Sequence, residues 1–461
     1  MPLLVANSGP SIIQFGLKYL AIVVFVVFSF YVRHEVAKVV KDPFIDEIFH
    51  LRQCQKYLDY KFHEWDNKIT TPPGLYLLGF AYDKVLQGLA FKELDTYAVL
   101  RSLNLVGGIF VLPIITVLFK RSYNNQFWSL NIISQPLLFT YYFLFYTDIW
   151  STILIIASLA LVINKPHIHL NAYSSALLSF LSLWFRQTNI IWSAFILSVL
   201  IDRSIIIKRN NPLNFINRII KFVLQLFKNW INVIPFAFNV ILFIIFLKVN
   251  GGITFGDKEN HTINFHLVQV FYCFVFIVLF TWPVWLHKRF IIEYLKFSII
   301  RNYGLNLILN ILSLFIIKYI IDNFTIVHPF LLADNRHYTF YIFKRLISHK
   351  YSQVISIPLY HFSTYTIIKS LSESKKIGLS FITIIAYLAS ILLTIVPSPL
   401  FEPRYYIVPL IVFRLFIQPA SKERHFLEFI WLNLINVLTT VVFFKYEFKW
   451  ESESSIQRII W

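Results

Sequence analysis

At 461 residues, with 57% hydrophobic side chains, 14% charged ones and Phe at 48 positions, the chain is too apolar for a soluble globule. Its net charge of +18 does not indicate a nucleic-acid partner, because the Lys and Arg residues are scattered through connectors and form no basic face on a soluble module. With only Cys54 and Cys273, one in a loop and one in an apolar run, neither a disulfide framework nor redox chemistry is indicated.

Apolar runs long enough to cross hydrocarbon, roughly 20 residues each, recur along the chain, and about 13 fit. The expected class is an all-α polytopic membrane protein, one membrane domain over residues 1–461. The first run, 15–32, follows no removable-signal pattern and is expected to stay as a signal anchor. The longest polar region, 34–99, comes next and contains Asp46, Glu47, His50, Trp65, Asp66 and the breaker string Thr70-Thr71-Pro72-Pro73-Gly74. Within it, 45–60 has the apolar spacing of a short interfacial helix. Residues 75–89 carry Asp83 and Lys84, so they read as a second interfacial or re-entrant helix.

Farther on, Lys120-Arg121, Lys165, the 208–228 connector, Lys288-Arg289, Lys375-Lys376 and the Lys422, Arg424 pair share one side if the spans alternate. The positive-inside tendency makes that side cytosolic and places 34–99 opposite. Two sequons, at Asn260 and Asn323, fall on the opposite side too, as do polar loops at 251–261, 322–350 and 397–404.

No phosphate loop, dinucleotide fingerprint, zinc spacing or Asp-x-Asp pair is present, so any chemistry rests on carboxylates, Arg, His and aromatic groups. Adjacent acids at a membrane border repel each other and lose hydration unless something uses them. Asp46 is the candidate general base, and Glu47 either orients it or binds an acceptor; a helix N-terminus also favours acids against the macrodipole. His50, four residues on, shares the Asp46 face. Arg336-His337 suits a phosphate through bidentate guanidinium bonding and an imidazole donor. Arg404, near the start of a span, serves equally well as a snorkelling anchor or a ligand, and Arg186 lies between two apolar runs where charge usually faces a cavity.

Four strings carry a resemblance: Phe44-Ile45-Asp46-Glu47-Ile48-Phe49-His50; Trp65-Asp66-Asn67-Lys68-Ile69-Thr70-Thr71-Pro72-Pro73-Gly74-Leu75-Tyr76; Phe185-Arg186-Gln187-Thr188-Asn189-Ile190-Ile191-Trp192; and the stretch from His328 to Tyr341. Together and in order, they resemble the endoplasmic reticulum alpha-1,2-glucosyltransferases that use dolichyl-phosphate-glucose. The resemblance implies a GT-C membrane fold in the endoplasmic reticulum membrane, with the site facing the lumen. It also implies addition of the third, terminal glucose to a dolichol-diphosphate-linked oligosaccharide.

The donor is beta-linked, so an alpha-1,2 product implies a single inverting displacement. In related enzymes an acid of the first lumenal loop is the proposed base, which maps onto Asp46 or Glu47. Arg336 and His337, with Arg404 or Arg186 in reserve, would receive the leaving phosphate, while His50, Trp65 and Asp66 would contact the acceptor or sugar. Trp65 also suits an aromatic belt. Because basic groups can neutralise a lipid phosphate, no obligatory metal or other cofactor is expected. A transporter or channel would place its ionisable groups near the bilayer midplane, and a noncatalytic scaffold would have no need of Asp46 in particular.

Overall fold

The computed structural model describes residues 12–90, 93–123, 128–164, 169–205, 214–302, 304–349, 351–374, 379–418, 421, 423–451 and 456–461. Lys165, Lys208, Lys350, Lys375, Lys376, Lys422 and the side chains of Lys120 and Arg121 lie outside the described residues. Two compact units are distinguished, Met1–Asp42 and Pro43–Trp461. The first is a single apolar helix, α1 (Ile12–Val39).

In the second unit, α2 (Glu47–Leu58) and α3 (Gly74–Leu89) occupy the polar region after α1. α4 (Thr96–Val106) begins at Asp95, whose carboxylate accepts from Ala98 N at 2.9 Å. It continues through a π-helical turn, Gly107–Val111, into α5 (Leu112–Tyr123). Two short buried helices follow, α6 (Ser129–Ile133) and α7 (Pro136–Thr140). Then come α8 (Asp148–Asn164), α9 (His169–Leu183) and α10 (Asn189–Ser204). The 208–228 stretch, expected as a plain connector, contains a helix, α11 (Phe215–Lys228). Apolar residues recur there at helical spacing, and the Asn214 side chain caps the first turn by accepting from Asn217 N.

α12 (Trp230–Asn250) ends at Gly251, which takes the left-handed conformation that closes a helix at least cost in glycine. α13 (Gln269–Trp285), α14 (Lys288–Leu295) and α15 (Leu305–Phe324) lead to two short helices in the 322–350 loop, α16 (Pro329–Ala333) and α17 (Tyr338–Ile342). α18 (Ser352–Glu373), α19 (Phe381–Ile395), α20 (Ile407–Phe416) and α21 (Glu423–Lys445) follow. A small antiparallel pair closes the order, β1 (Glu447–Phe448) with β2 (Gln457–Arg458).

Among the described residues five helices are long and apolar enough to cross a membrane: Gly16–Val39, Thr96–Phe119, Trp230–Asn250, Leu305–Phe324 and Glu423–Lys445. Three shorter ones, Asp148–Ile163, Gln269–Trp285 and Phe381–Ile395, are also apolar. The protein is therefore a helical, polytopic membrane protein.

Hydrogen bonds sort the helix ends of the second unit into two groups. At one end, α8 starts at Asp148, paired with Arg186 just before α10, and α13 starts at Gln269, bonded to the Ser398 and Leu400 carbonyls. α20 starts there as well, right after Arg404. At the other end, Asp202 near the close of α10 accepts from Arg218 of α11 and from Ser380 and Thr383 at the start of α19. Arg414 late in α20 is fully buried on Glu428 of α21, which also accepts from Asn131 of α6 at 2.6 Å. Helices of 16 to 17 residues, such as α8, α10 and α13, separate these ends by roughly 25 Å at 1.5 Å per residue.

Candidate active site

The first group of ends surrounds two cavities. α2 starts beside an unusual backbone: Ile45 has φ of +54°, a region a β-branched residue rarely enters. Such strain persists only where the surroundings enforce it, and here the neighbouring Glu47 is bonded on every side. Its carboxylate is fully buried and takes a bidentate pair from Arg101, with Nε at 2.9 Å and Nη2 at 2.7 Å. It also accepts from the backbone N–H of Phe145 at 2.8 Å and of Phe44 at 3.1 Å. Both oxygens are engaged and Glu47 lines neither cavity, so here it clamps the first turn of α2, a placement less suited to the alternative base it was expected to offer.

Asp46 faces the other way. It sits at the N-cap of α2 but makes no side-chain capping bond, so its position fits the macrodipole while its oxygens stay available to other partners. Its side chain is 41% exposed and pairs with Arg404 Nη1 at 2.9 Å. Burial alone would raise its proton affinity, but Arg404, helped by His50 and His337, outweighs that and leaves the carboxyl below its ordinary value. Arg404 also donates to Glu402 at 3.0 Å and lies over the Tyr146 ring. One turn into α2, His50 shares a 2.7 Å hydrogen bond with the Tyr76 hydroxyl. Burial lowers its pKa to about 4, with Asp46 opposing, so the imidazole is neutral near pH 7.

Two cavities meet at Asp46. The first, about 450 Å³, brings Asp46 and Arg404 together with Arg336, His337, Trp450 and Trp461. The second, about 410 Å³, adds His50, Lys68, Thr70, Arg186, Asp257 and His261. Asp46, Phe49, Phe330, Leu400, Glu402 and Arg404 line both. Segments far apart in the chain are locked together to make the second wall. Gly256 lies so close to the Asn67 carbonyl that a Cβ would have no room, Asp257 N donates to the same carbonyl at 2.8 Å, and Gln187 reaches the Thr70 carbonyl at 2.6 Å. Arg186 pairs with Asp148 at 2.6 Å on that side.

Trp65 and Asp66 line neither cavity. Trp65 packs between Tyr76 and Phe255, and Asp66 accepts from Lys68 N at 2.9 Å, so both shape the wall from behind, correcting their expected place against sugar. Asn260 is on the rim of the second cavity, donating to Asp257 at 2.7 Å, and Asn323 donates to the Tyr319 carbonyl within α15. Cys54 and Cys273 are buried and unpaired. Among the described residues no three His, Cys, Asp or Glu side chains gather as a metal-holding group.

A model of the DIE2/ALG10 family matches residues 40–415. The chain belongs to the DIE2/ALG10 family. A relative in Debaryomyces hansenii is 54% identical over 95% of this chain and 98% of its own length, and one in Candida albicans is 52% identical over 96% and 98%. A mouse relative is 30% identical over 92% and 94%. All three are named Dol-P-Glc:Glc(2)Man(9)GlcNAc(2)-PP-Dol alpha-1,2-glucosyltransferase. No solved structure matches the chain.

Within this family member, several cavity residues had no individual role in the sequence reading, although Thr70 stood in its breaker string. Lys68 and Thr70 lie inside one of the four diagnostic strings, and Asp257 and His261 inside a loop more polar than its length needs, so both had a signal. Trp450 and Trp461 had none.

Proposed function

We propose that this protein transfers glucose from dolichyl-phosphate-glucose to the 2-hydroxyl of the terminal glucose of Glc2Man9GlcNAc2-diphosphate-dolichol, inverting the anomeric carbon. The names of relatives matched over nearly the whole chain support the activity and both substrates. The observation that carries the site assignment is Asp46 on the wall shared by two cavities, ion-paired to Arg404.

Asp46 accepts the proton of the acceptor 2-hydroxyl as that oxygen attacks the anomeric carbon from the face opposite the phosphate. The carbon–oxygen bond to phosphate breaks in the same step, and dolichyl phosphate leaves with the bonding electrons. A carboxylate of depressed proton affinity takes the proton late, once attack has advanced, so stabilising the departing phosphate carries much of the rate. Arg336 and Arg404 are the cations assigned to that phosphate and His337 a hydrogen-bond donor beside them, with the donor substrate in the first cavity and the acceptor sugar in the second, beside His50. No obligatory metal takes part.

The proposed frame is a GT-C fold with about 13 crossings, in the endoplasmic reticulum membrane with the cavities on the lumenal side. It is supported by the two-ended sorting of the helices, which alternate between the cavity end and the α11 end from α8 to α10. The test is glucose transfer by purified protein from dolichyl-phosphate-glucose to the diglucosylated lipid-linked acceptor. Transfer by the parent chain and its loss in Asp46→Asn support the reading. Undiminished transfer by Asp46→Asn removes Asp46 as base, and no transfer by the parent removes the function.

A further inference from the structure

Arg336 and His337 belong to a short loop, and a loop alone cannot hold a guanidinium in one orientation. The structure shows what does. Asp334 takes Nε and Nη2, at 2.9 Å and 2.7 Å, while the opposite nitrogen, Nη1, donates to Gln457 Oε1 at 3.1 Å. The guanidinium carbon lies 4.4 Å from the centre of the Trp450 ring. The backbone is pinned as well: Ile460 N donates to the Arg336 carbonyl at 2.7 Å, and Tyr338 N donates to the Ile460 carbonyl at 2.9 Å, forming a parallel bridge at His337. His337 Nδ1 meets the Trp461 backbone oxygen at 3.2 Å.

These contacts come from a segment more than a hundred residues farther along, outside the span the family model matches. It has anchors of its own. Arg458 donates to the Phe443 carbonyl at the end of α21 and to Glu447, and the Trp461 ring packs against Tyr338, Phe276 and Phe280.

We infer that residues 456–461 are a positioning element for the donor phosphate, holding Arg336 through Gln457 and Ile460 so that its remaining N–H groups face the first cavity. This rests on the proposed reading of Arg336 as a phosphate ligand. Asp334 and Gln457 take one edge of the guanidinium and one hydrogen of Nη1. Among the described residues each terminal nitrogen has one hydrogen-bond acceptor, Gln457 for Nη1 and Asp334 for Nη2, and Arg336 lines the first cavity, so a guanidinium held this way keeps donor capacity for a phosphate. Gln457 is 2% exposed, so its amide has no freedom to let Nη1 swing away.

The test compares Gln457→Ala, Gln457→Glu and Ile460→Pro in the full-length protein, with thermal unfolding in detergent confirming that each folds like the parent. Gln457→Ala and Ile460→Pro are expected to raise the donor KM about tenfold, the effect of one hydrogen bond to a charged group, with kcat and acceptor KM little changed. Inhibition by dolichyl phosphate is expected to weaken in parallel. Gln457→Glu preserves the shape but places a negative charge beside Arg336. It is expected to weaken donor binding more than the alanine variant does, whereas a purely structural role would lower the unfolding temperature without a selective rise in donor KM. If the parent transfers glucose and the variants keep the parent donor KM and product inhibition, or lose only kcat or acceptor affinity, the positioning role is wrong and the proposed function stands. If the parent transfers no glucose, both fall.

Discussion

Asp46 and Glu47 are neighbours of the same chemistry, yet the two sides of the α2 start treat them in opposite ways. Behind Glu47 lies a dry wall where Arg101 and two backbone N–H groups consume both oxygens. In front of Asp46 lie two cavities and a guanidinium that leaves part of the carboxylate open. A carboxylate whose hydrogen bonds are all satisfied internally is suited to structure, whereas one that keeps an open face beside a cation is free to meet a substrate.

The largest expected effect separates the two. Asp46→Asn should lower transfer by about 10²–10⁴-fold, the usual contribution of a general base, with a smaller drop in unfolding temperature than Glu47→Gln gives. Glu47→Gln should do the reverse. It leaves the Arg101 charge buried without its counter-ion, a loss of roughly 3 kcal/mol that shows as a lower unfolding temperature, while the fraction that remains folded keeps much of its specific activity. An Asp46→Asn protein that unfolds early but turns over normally would invert the comparison.

Arg404 and Arg414 sharpen it. Both pair with glutamate, but Arg414 and Glu428 are sealed at the far end whereas Arg404 also faces Asp46. Arg404→Gln is expected to cost about 100-fold in kcat, as removal of a charge-stabilising donor does. Arg414→Gln should reduce stability and yield without that loss per folded molecule. Equal kcat losses in both would mean that neither acts on the departing phosphate.

Much of this was legible in the sequence, and what was not had a tertiary cause. Two adjacent acids in an acid-poor chain singled out Asp46 and Glu47, and four long strings singled out the family. Choosing between the two acids needed Arg101, which lies 54 positions beyond Glu47 and whose approach no local pattern encodes. Arg404 read equally well as a snorkelling anchor, because a lone Arg at a span border looks the same whether it meets lipid headgroups or an aspartate. Trp65 suited either a sugar face or an aromatic belt, and no local pattern encodes its packing between Tyr76 and Phe255. The 208–228 stretch was read by its charges, which hid the helical spacing of the apolar residues in α11.

A smaller effect follows from the titration of the open side. Asp46 is held below its ordinary pKa, so the base stays ionised and transfer should be flat as pH falls from 7 to about 5. In Arg404→Gln the main opposing charge is gone, burial raises the Asp46 pKa, and an acid limb should appear where the parent has none. Stability behaves differently. Folded His50 stays neutral down to about 4, whereas unfolded histidine takes a proton near 6.5, so between those values the unfolded state binds more protons and stability declines as pH falls. The Asp46 contribution has the same sign but lies lower, present above the ordinary carboxylate range and lost as pH drops through its depressed value. Unfolding temperatures measured in small pH steps should thus fall first in the histidine window, and a Tyr76→Phe variant, which loses only the His50 partner, should keep the same window.

The smallest effect is expected from chelation, and the donor set gives the reason. Asp46 and Glu402 are both held by Arg404, Asp334 by Arg336, Asp148 by Arg186, and Asp257 by Asn260 and His261. A divalent cation drawing on Asp46, Glu402 or Asp334 would compete with a guanidinium, and one on Asp257 with Asn260 and His261, while the positive charge it would bring to a phosphate is already supplied by arginine. EDTA should therefore leave the transfer rate unchanged at saturating donor. Loss of activity restored by Mg²⁺ or Mn²⁺ would mean that these arginines yield their acids to a metal during turnover, and the division between a sealed structural carboxylate and an open chemical one would then have to be redrawn around that ion.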